Sequence, residues 1–255
     1  MKVSCICITF QRPPTYTYLL EEAIQSFLQQ NWNDKELIII NDCPEQTLVF
    51  EHPEVKIINL PLRCRTYGEK MAMGVALAQG DFIAPWDDDD ISLPMRLSIA
   101  MDTLRALGSQ YYKAHGQWLL NKHGLSNMEN FVGHNSSVFT RKAYAKVGGY
   151  PIMSSGADLE IDRAFRLNEP PATNELDRTR WQYIYRWGIS DIHMSSLHDK
   201  DNVEKGWDHI GKKVAEPGEF KLEPKWLYNY SNLTAQAARS GLAIYPTPDL
   251  VFWGD

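Results

Sequence analysis

The chain has 255 residues, and no apolar run among them approaches the roughly 20 that a membrane-crossing helix needs. Met1-Lys2 leads straight into a strand pattern without the shape of a signal peptide, so no transmembrane segment is expected and the expected compartment is the cytosol. Basic residues are also scarce: 26 Lys and Arg stand against 32 Asp and Glu, a net charge of −6. Nucleic acid held through a general basic field requires clustered cations, and no such partner is expected. Cysteine is limited to Cys5, Cys7, Cys43 and Cys64, which form no paired CxxC zinc pattern. Cys5 and Cys7 would share one face of a strand, and all four read as reduced packing residues. Internal repeats, low-complexity segments and linkers are missing too, which excludes solenoids and disordered arrays.

What remains is an ordinary globular composition, 44% hydrophobic and 23% charged. Short β-rich runs alternate with helical patterns through the first half, as in a sheet wound with crossover helices. Val3 to Phe10, Glu36 to Asn41, Val55 to Leu60 and Asp81 to Trp86 read as strands. Thr15 to Gln30 places Leu19, Leu20, Ala23, Ile24, Phe27 and Leu28 on one helical stripe. A second helix fits Gly68 to Gln79, with Gly80 as its C-terminal cap, and Ser92 reads as the cap of a third with Pro94 in its first turn. Further on, Tyr111 to Asn121 and Ser136 to Thr140 are strand-like, and Arg141 to Val147, Asp158 to Leu167 and Tyr228 to Ser240 are helical. Trp181, Tyr183, Tyr185 and Trp187 alternate on one strand face, a pattern of sheet packing more than of sugar stacking.

The densest chemical feature is Asp87-Asp88-Asp89-Asp90, directly after the apolar FIAPW. Four carboxylates fixed at a strand end cannot all stay ionised without a cation or strong hydrogen bonding, because repulsion adds to desolvation. In extended backbone Asp87 and Asp89 point together while Asp88 turns to another partner, and the two make an oxygen site for Mg²⁺ or Mn²⁺. The plain alternative is a solvated acidic loop. An EF-hand is excluded, since the loop lacks the required glycine and the terminal Glu spacing. Open parallel sheets bind ligands at the carboxyl ends of their strands, so Thr9 to Arg12, Asp42 and the acidic run are expected to converge.

Val3 to Arg12 with Thr9-Phe10-Gln11-Arg12, the helix ending Phe27-Leu28-Gln29-Gln30, Asn41-Asp42, Gly74 to Gly80 and Trp86-Asp87-Asp88-Asp89-Asp90 together resemble, in order and spacing, the donor-binding half of family 2 glycosyltransferases of GT-A fold. That resemblance implies an α/β, Rossmann-like mixed and mostly parallel sheet flanked by helices. It implies one domain over 1–255, with residues 1–105 as the nucleotide-sugar-binding half and 106–255 as the acceptor-binding and catalytic half. By the same comparison Asp89 is the principal metal ligand, Asp87 lies near ribose or metal, and Asp88 supports the site. Phe10 lies against the base between Thr9 and Arg12, and Asp42 accepts from the base's ring N–H, a pattern favouring a UDP-sugar. Arg65 and Lys70 are candidates to balance the diphosphate, and solvent-facing cations otherwise. Read singly, Phe10 is also a core residue, Thr9 a strand residue, Arg12 a surface charge and Asp42 a turn former.

Gly148-Gly149-Tyr150-Pro151 and Gly156-Ala157-Asp158-Leu159-Glu160-Ile161-Asp162 resemble the family segment in which an acid opens a helix facing the acceptor. Members commonly have Glu-Asp there, and this chain has Ala157-Asp158. Asp158 is the expected general base for an inverting transfer to a carbohydrate or other hydroxyl acceptor, with helix capping as its plain role. A late histidine, His193 or its competitor His198, is a candidate to complete the metal shell, and His134-Asn135 to touch the acceptor. Two other readings stay open: a noncatalytic nucleotide-sugar or carbohydrate-binding module, and a nucleotidyltransferase or nucleotide-sugar hydrolase.

Overall fold

The computed structural model describes the chain apart from residues 13, 15, 130–132, 170, 174–176, 188–215, 242 and 245–255. Its centre is built from Val3–Thr9 (β1), Lys35–Asn41 (β2), Gln46–Val49 (β3), Val55–Asn59 (β4) and Phe82–Pro85 (β5). Four of these lie parallel in the order β4-β2-β1-β5, with the β-branched and apolar runs of β1, β2 and β5 buried and that of the edge strand β4 half-buried. Two more strands extend the sheet: Val138–Thr140 pairs antiparallel with β5, and Tyr111–Tyr112 pairs antiparallel with Val138–Thr140. This is the mixed, mostly parallel sheet that the sequence implied.

Helix α1 (Thr17–Leu28) buries Leu19, Leu20, Ala23, Ile24 and Phe27 on one face of the sheet, the stripe read from its periodicity. Helix α2 (Tyr67–Leu77) packs on the other face, started by Thr66, whose hydroxyl accepts from the Glu69 N–H at 3.1 Å. Gly74 is required where α2 crosses β1, since a Cβ there would lie 2.3 Å from Ile6 Cγ2. Helix α3 (Arg96–Leu107) ends at Gly108, whose φ of 60° is the left-handed cap that only glycine adopts easily.

Two local expectations fail. Gly80 is not a left-handed cap: α2 stops at Ala78, and a Cβ on Gly80 would meet the Lys2 carbonyl at 2.6 Å, so close backbone approach explains the glycine. Ser92 does not cap α3. It lies in the strand Ile91–Ser92 (β6), and its hydroxyl accepts from Arg96 Nη1 at 2.7 Å instead.

A smaller sheet stands beside the first, with Tyr183–Arg186 between β6 and Gln117–Asn121, and Gly124–Met128 at the edge. Trp181, read as part of an aromatic strand, lies outside it and packs on Trp118 at 5.4 Å. Helix α4 (Arg141–Lys146) and helix α5 (Ala157–Asn168) complete the middle of the chain. Near the end, Gly218–Lys221 pairs in parallel with β3, and α6 (Tyr230–Ser240) buries Tyr230, Leu233 and Ala237 against the smaller sheet. The four cysteines are buried and in no disulfide, as the sequence suggested.

Candidate active site

The ends of β1, β2 and β5 meet where the sheet opens. Leaving β1, the chain turns sharply at Gln11, whose φ of 55° is the only positive value at a non-glycine among the described residues. That turn delivers Arg12 inward. Its guanidinium grips Asp88 in a fork, Nε to Oδ2 at 2.7 Å and Nη2 to Oδ1 at 2.6 Å, and Nη2 also reaches Asp89 Oδ2 at 3.0 Å. Burial opposes the Arg12 charge, but Asp88 and Asp89 more than offset it and hold its pKa above the ordinary value.

The acidic run is a turn, not the extended segment assumed from the sequence. A turn brings its first and fourth residues together, so Asp90 joins Asp87 and Asp89 while Asp88 faces Arg12. One carboxylate oxygen from each of Asp87, Asp89 and Asp90 lies within 4.8 Å of the others. Asn135 Nδ2 donates to Asp87 Oδ2 at 2.6 Å and to Asp90 Oδ2 at 3.2 Å. The Tyr183 hydroxyl donates to Asp90 Oδ2 at 2.5 Å, and the Arg186 N–H to its Oδ1 at 2.7 Å. Burial, reinforced by Asp89, pushes the Asp87 carboxyl up to about 7, and burial with Asp89 and Asp87 drives Asp90 well above the carboxylate range.

The donor set suits a hard divalent cation, which takes clustered carboxylate oxygens. Charge points the same way. With all of Glu22, Asp87, Asp88, Asp89 and Asp90 ionised beside the guanidiniums of Arg12, Arg96 and Arg186, two formal negative charges are left over, and a cation would favour that ionised state over the protonated Asp87 and Asp90. His193 and His198, the expected late ligands, lie outside the described residues.

Just past the end of β1, the Arg63 guanidinium covers the half-buried Phe10 ring at 4.2 Å. Thr9 is buried, and its hydroxyl is without a partner in the structure. Asp42 and Lys70, expected as base reader and phosphate cation, lie side by side. They form a buried pair, Nζ to Oδ1 at 2.5 Å, with Nζ also donating to the Thr9 carbonyl at 2.6 Å and Asp42 Oδ2 accepting the Cys64 N–H at 3.0 Å. Burial lowers the Lys70 pKa against the pull of Asp42. Arg65 is largely exposed and bonds Glu69 one helical turn on.

Asp158 sits in the first turn of α5, after Gly156 in the left-handed region (φ 74°). Burial raises its pKa, opposed by N–H groups at the helix start. Its charge in turn raises Asp87 and, with Asp87 and Asp89, acts on the phenol of Tyr67, so base candidate and acid cluster share one electrostatic region. Gly68 permits this approach: a Cβ there would lie 1.8 Å from the Pro151 carbonyl, in the loop leading to Asp158. Asp162, one turn further, is spent on Lys113 and Tyr111, both at 2.6 Å. His134 is a core residue. Burial drops its pKa to about 3, and it hydrogen-bonds the Tyr150 hydroxyl at 2.8 Å.

Sequence reasoning passed over Asn135 as a partner of the acids, and with it Asp90, Tyr183, Arg186 and Glu22. One signal was present: an arginine inside the apolar run YIYRW must be buried with a counter-charge.

A mostly parallel central sheet flanked by helices, with an acid turn at a strand end, matches the GT-A fold. The glycosyl transferase family 2 model matches residues 4–136, just over half of the chain, and the chain belongs to that family. No curated protein sequence matches it. Among solved structures it is similar to S. aureus TarS 1–349 in complex with UDP-GlcNAc, at 16% identity and a TM-score of 0.61 over 78% of this chain and 62% of that one. It is also similar to the mannosyltransferase PcManGT from Pyrobaculum calidifontis in complex with GDP-Man and Mn²⁺, at 15% identity and a TM-score of 0.51, over 72% of this chain and 56% of that one. The chain thus spans less than two thirds of the length of either structure.

Proposed function

We infer that the chain is an inverting glycosyltransferase that moves a sugar from a UDP-sugar to a hydroxyl acceptor. A single domain does this, with residues 1–105 binding the donor and 106–255 supplying the acceptor side. The observation that carries this reading is the convergence of Asp87, Asp89 and Asp90 at the sheet opening, within the electrostatic reach of Asp158. Those three carboxylates would hold Mn²⁺ or Mg²⁺, which supplies positive charge for the departing nucleoside diphosphate. Phe10 under Arg63 offers a flat surface for the base. The Asp42–Lys70 pair, through the Thr9 carbonyl, sets the end of β1 from which Phe10 and Arg12 project. The choice of uracil draws support from the UDP-GlcNAc held by TarS.

A hydroxyl is a poor nucleophile until it loses its proton as the new bond forms. Asp158 is the base for that proton: its raised pKa makes it a better acceptor than an exposed carboxylate, and its place at a helix start fixes its direction. Attack from the face opposite the leaving diphosphate inverts the anomeric carbon without a covalent enzyme intermediate.

The test uses Asp158→Asn with a panel of UDP- and GDP-sugars and Mn²⁺. The variant is expected to keep the donor-induced rise in melting temperature and to lose transfer by at least about 100-fold. Wild-type products should be nucleoside diphosphate and a new glycoside. Pyrophosphate release would indicate nucleotidyl transfer, and transfer at near wild-type rate in Asp158→Asn would remove the base assignment.

A further inference from the structure

Arg186 touches the acid cluster at two points. It is buried at 5% exposure at the end of its strand. Its N–H holds Asp90 Oδ1 at 2.7 Å, its Nε donates to the Asp89 carbonyl oxygen, and its Nη1 reaches Glu22 Oε2 at 2.5 Å. Glu22, on α1, is fully buried. Its other oxygen accepts the Leu227 N–H at 2.9 Å and the Tyr230 hydroxyl at 2.7 Å. The adjoining residues repeat the tie: Trp226 Nε1 donates to Ser26 Oγ at 3.1 Å, and the Glu223 N–H to Glu21 Oε1 at 2.8 Å.

A turn of four acids resists its own compactness, because each carboxylate repels the next. Arg12 restrains the run from one side through Asp88 and Asp89. On the other side Arg186 holds the backbone carbonyl of Asp89 and the side chain of Asp90 at once, which fixes the angle between the two residues. The Asp90 contact comes from the main-chain N–H, and the planar guanidinium holds the Asp89 carbonyl on one side and Glu22 on the other, so Glu22 fixes the group that fixes Asp89.

We propose that Arg186, anchored by Glu22, is a positioning residue for the cation site, and that the 222–230 segment sets metal affinity through the Tyr230 hydroxyl. This rests on the reading of the acid run as a metal site. The Tyr230 hydroxyl bonds Glu22 and not the acid run, so an effect of Tyr230 on metal binding is specific to this chain of contacts. Outer partners of metal ligands typically change affinity by about 10- to 100-fold when removed.

Mn²⁺ affinity is measured by titration of the electron paramagnetic resonance signal of free Mn²⁺, alongside thermal unfolding. The variants are Arg186→Gln, the double variant Glu22→Gln with Arg186→Gln, and Tyr230→Phe. Arg186→Gln is expected to weaken Mn²⁺ by about 10- to 100-fold and to lower the melting temperature. The double variant removes the stranded buried charge and should regain melting temperature without regaining affinity, a split that a merely structural role would not produce. Tyr230→Phe keeps both charges paired and is expected to weaken Mn²⁺ by at least about threefold. It decides the question alone if the glutamine variants do not fold. Wild-type protein that binds no Mn²⁺ would overturn the metal site itself and this inference with it. Wild-type binding matched by Tyr230→Phe and by the folded glutamine variants would overturn the positioning role and leave the metal site standing.

Discussion

Asp87 shows how the site couples protons to metal. Its carboxyl is raised from the ordinary 3.8 to about 7, first by burial and then by Asp89. The folded state therefore binds a proton that the unfolded state releases near 4, and the Asp87 contribution to stability falls as pH rises from about 4 to about 7. A divalent cation competes with that proton and restores the lost stability where the carboxylate is ionised. The Mn²⁺-induced rise in melting temperature is accordingly expected to be larger at pH 8 than at pH 5, as read by differential scanning fluorimetry in matched ionic strength. Equal rises at both values would mean that Asp87 does not meet the metal. Asp89→Ala should abolish the rise at either pH, since it removes the carboxylate between the other two and one of the anions facing Arg12.

At the scale of elements, the contact between α2 and the loop before α5 sets the distance between the two halves of the site. Gly68 N–H donates to the Met153 carbonyl at 3.2 Å, and the Pro151 carbonyl occupies the space a side chain would need. Gly68→Ala is expected to cost about 1–3 kcal/mol by forcing α2 off that loop. Because Asp158 follows five residues after Met153, kcat should fall more than donor affinity does. Chemical denaturation and steady-state kinetics check the two parts, and an unchanged kcat in a destabilised variant would show that the loop does not place Asp158.

The elements that were legible in the sequence are those with a period or a chemical excess. The stripe on α1, the buried runs of β1, β2 and β5, and the acids after FIAPW each depend on residues within one short window. Gln46–Val49, Gly124–Met128 and Gly218–Lys221 were not read as strands, because each is short and pairs with a distant or adjacent edge that no local pattern announces. Extended backbone pairs Asp87 with Asp89 and gives Asp90 no place beside them, whereas the turn that recruits Asp90 is held by Asn135, Tyr183 and Arg186, 45 to 96 residues away. The Asp42–Lys70 pair was hidden for the same reason: each side chain suits a ligand in isolation, and only the fold sets them 2.5 Å apart.

For the molecule as a whole, the 216–230 segment crosses from one edge of the structure to the other. It pairs with β3, buries Leu222 in the core beneath α1, and brings Trp226 and Tyr230 to the smaller sheet. The contacts with β3 and with α1 join residues more than 160 apart, as with the Gln46 side chain and the Glu216 carbonyl, 170 apart. Closing such a loop is entropically unfavourable, so the segment must be held by buried apolar surface as well as by its hydrogen bonds. Leu222 is 2% exposed, and Leu222→Ala should cost about 2–5 kcal/mol, the range for a buried leucine whose site cannot collapse. In a chain of this size each kcal/mol lowers the melting temperature by about 2–4 °C, which makes the effect easy to measure. If the segment is part of one cooperative unit, the loss appears as a shift of the whole unfolding curve. A separate early transition, with the main one unmoved, would instead mean that the segment docks on a sheet already stable without it.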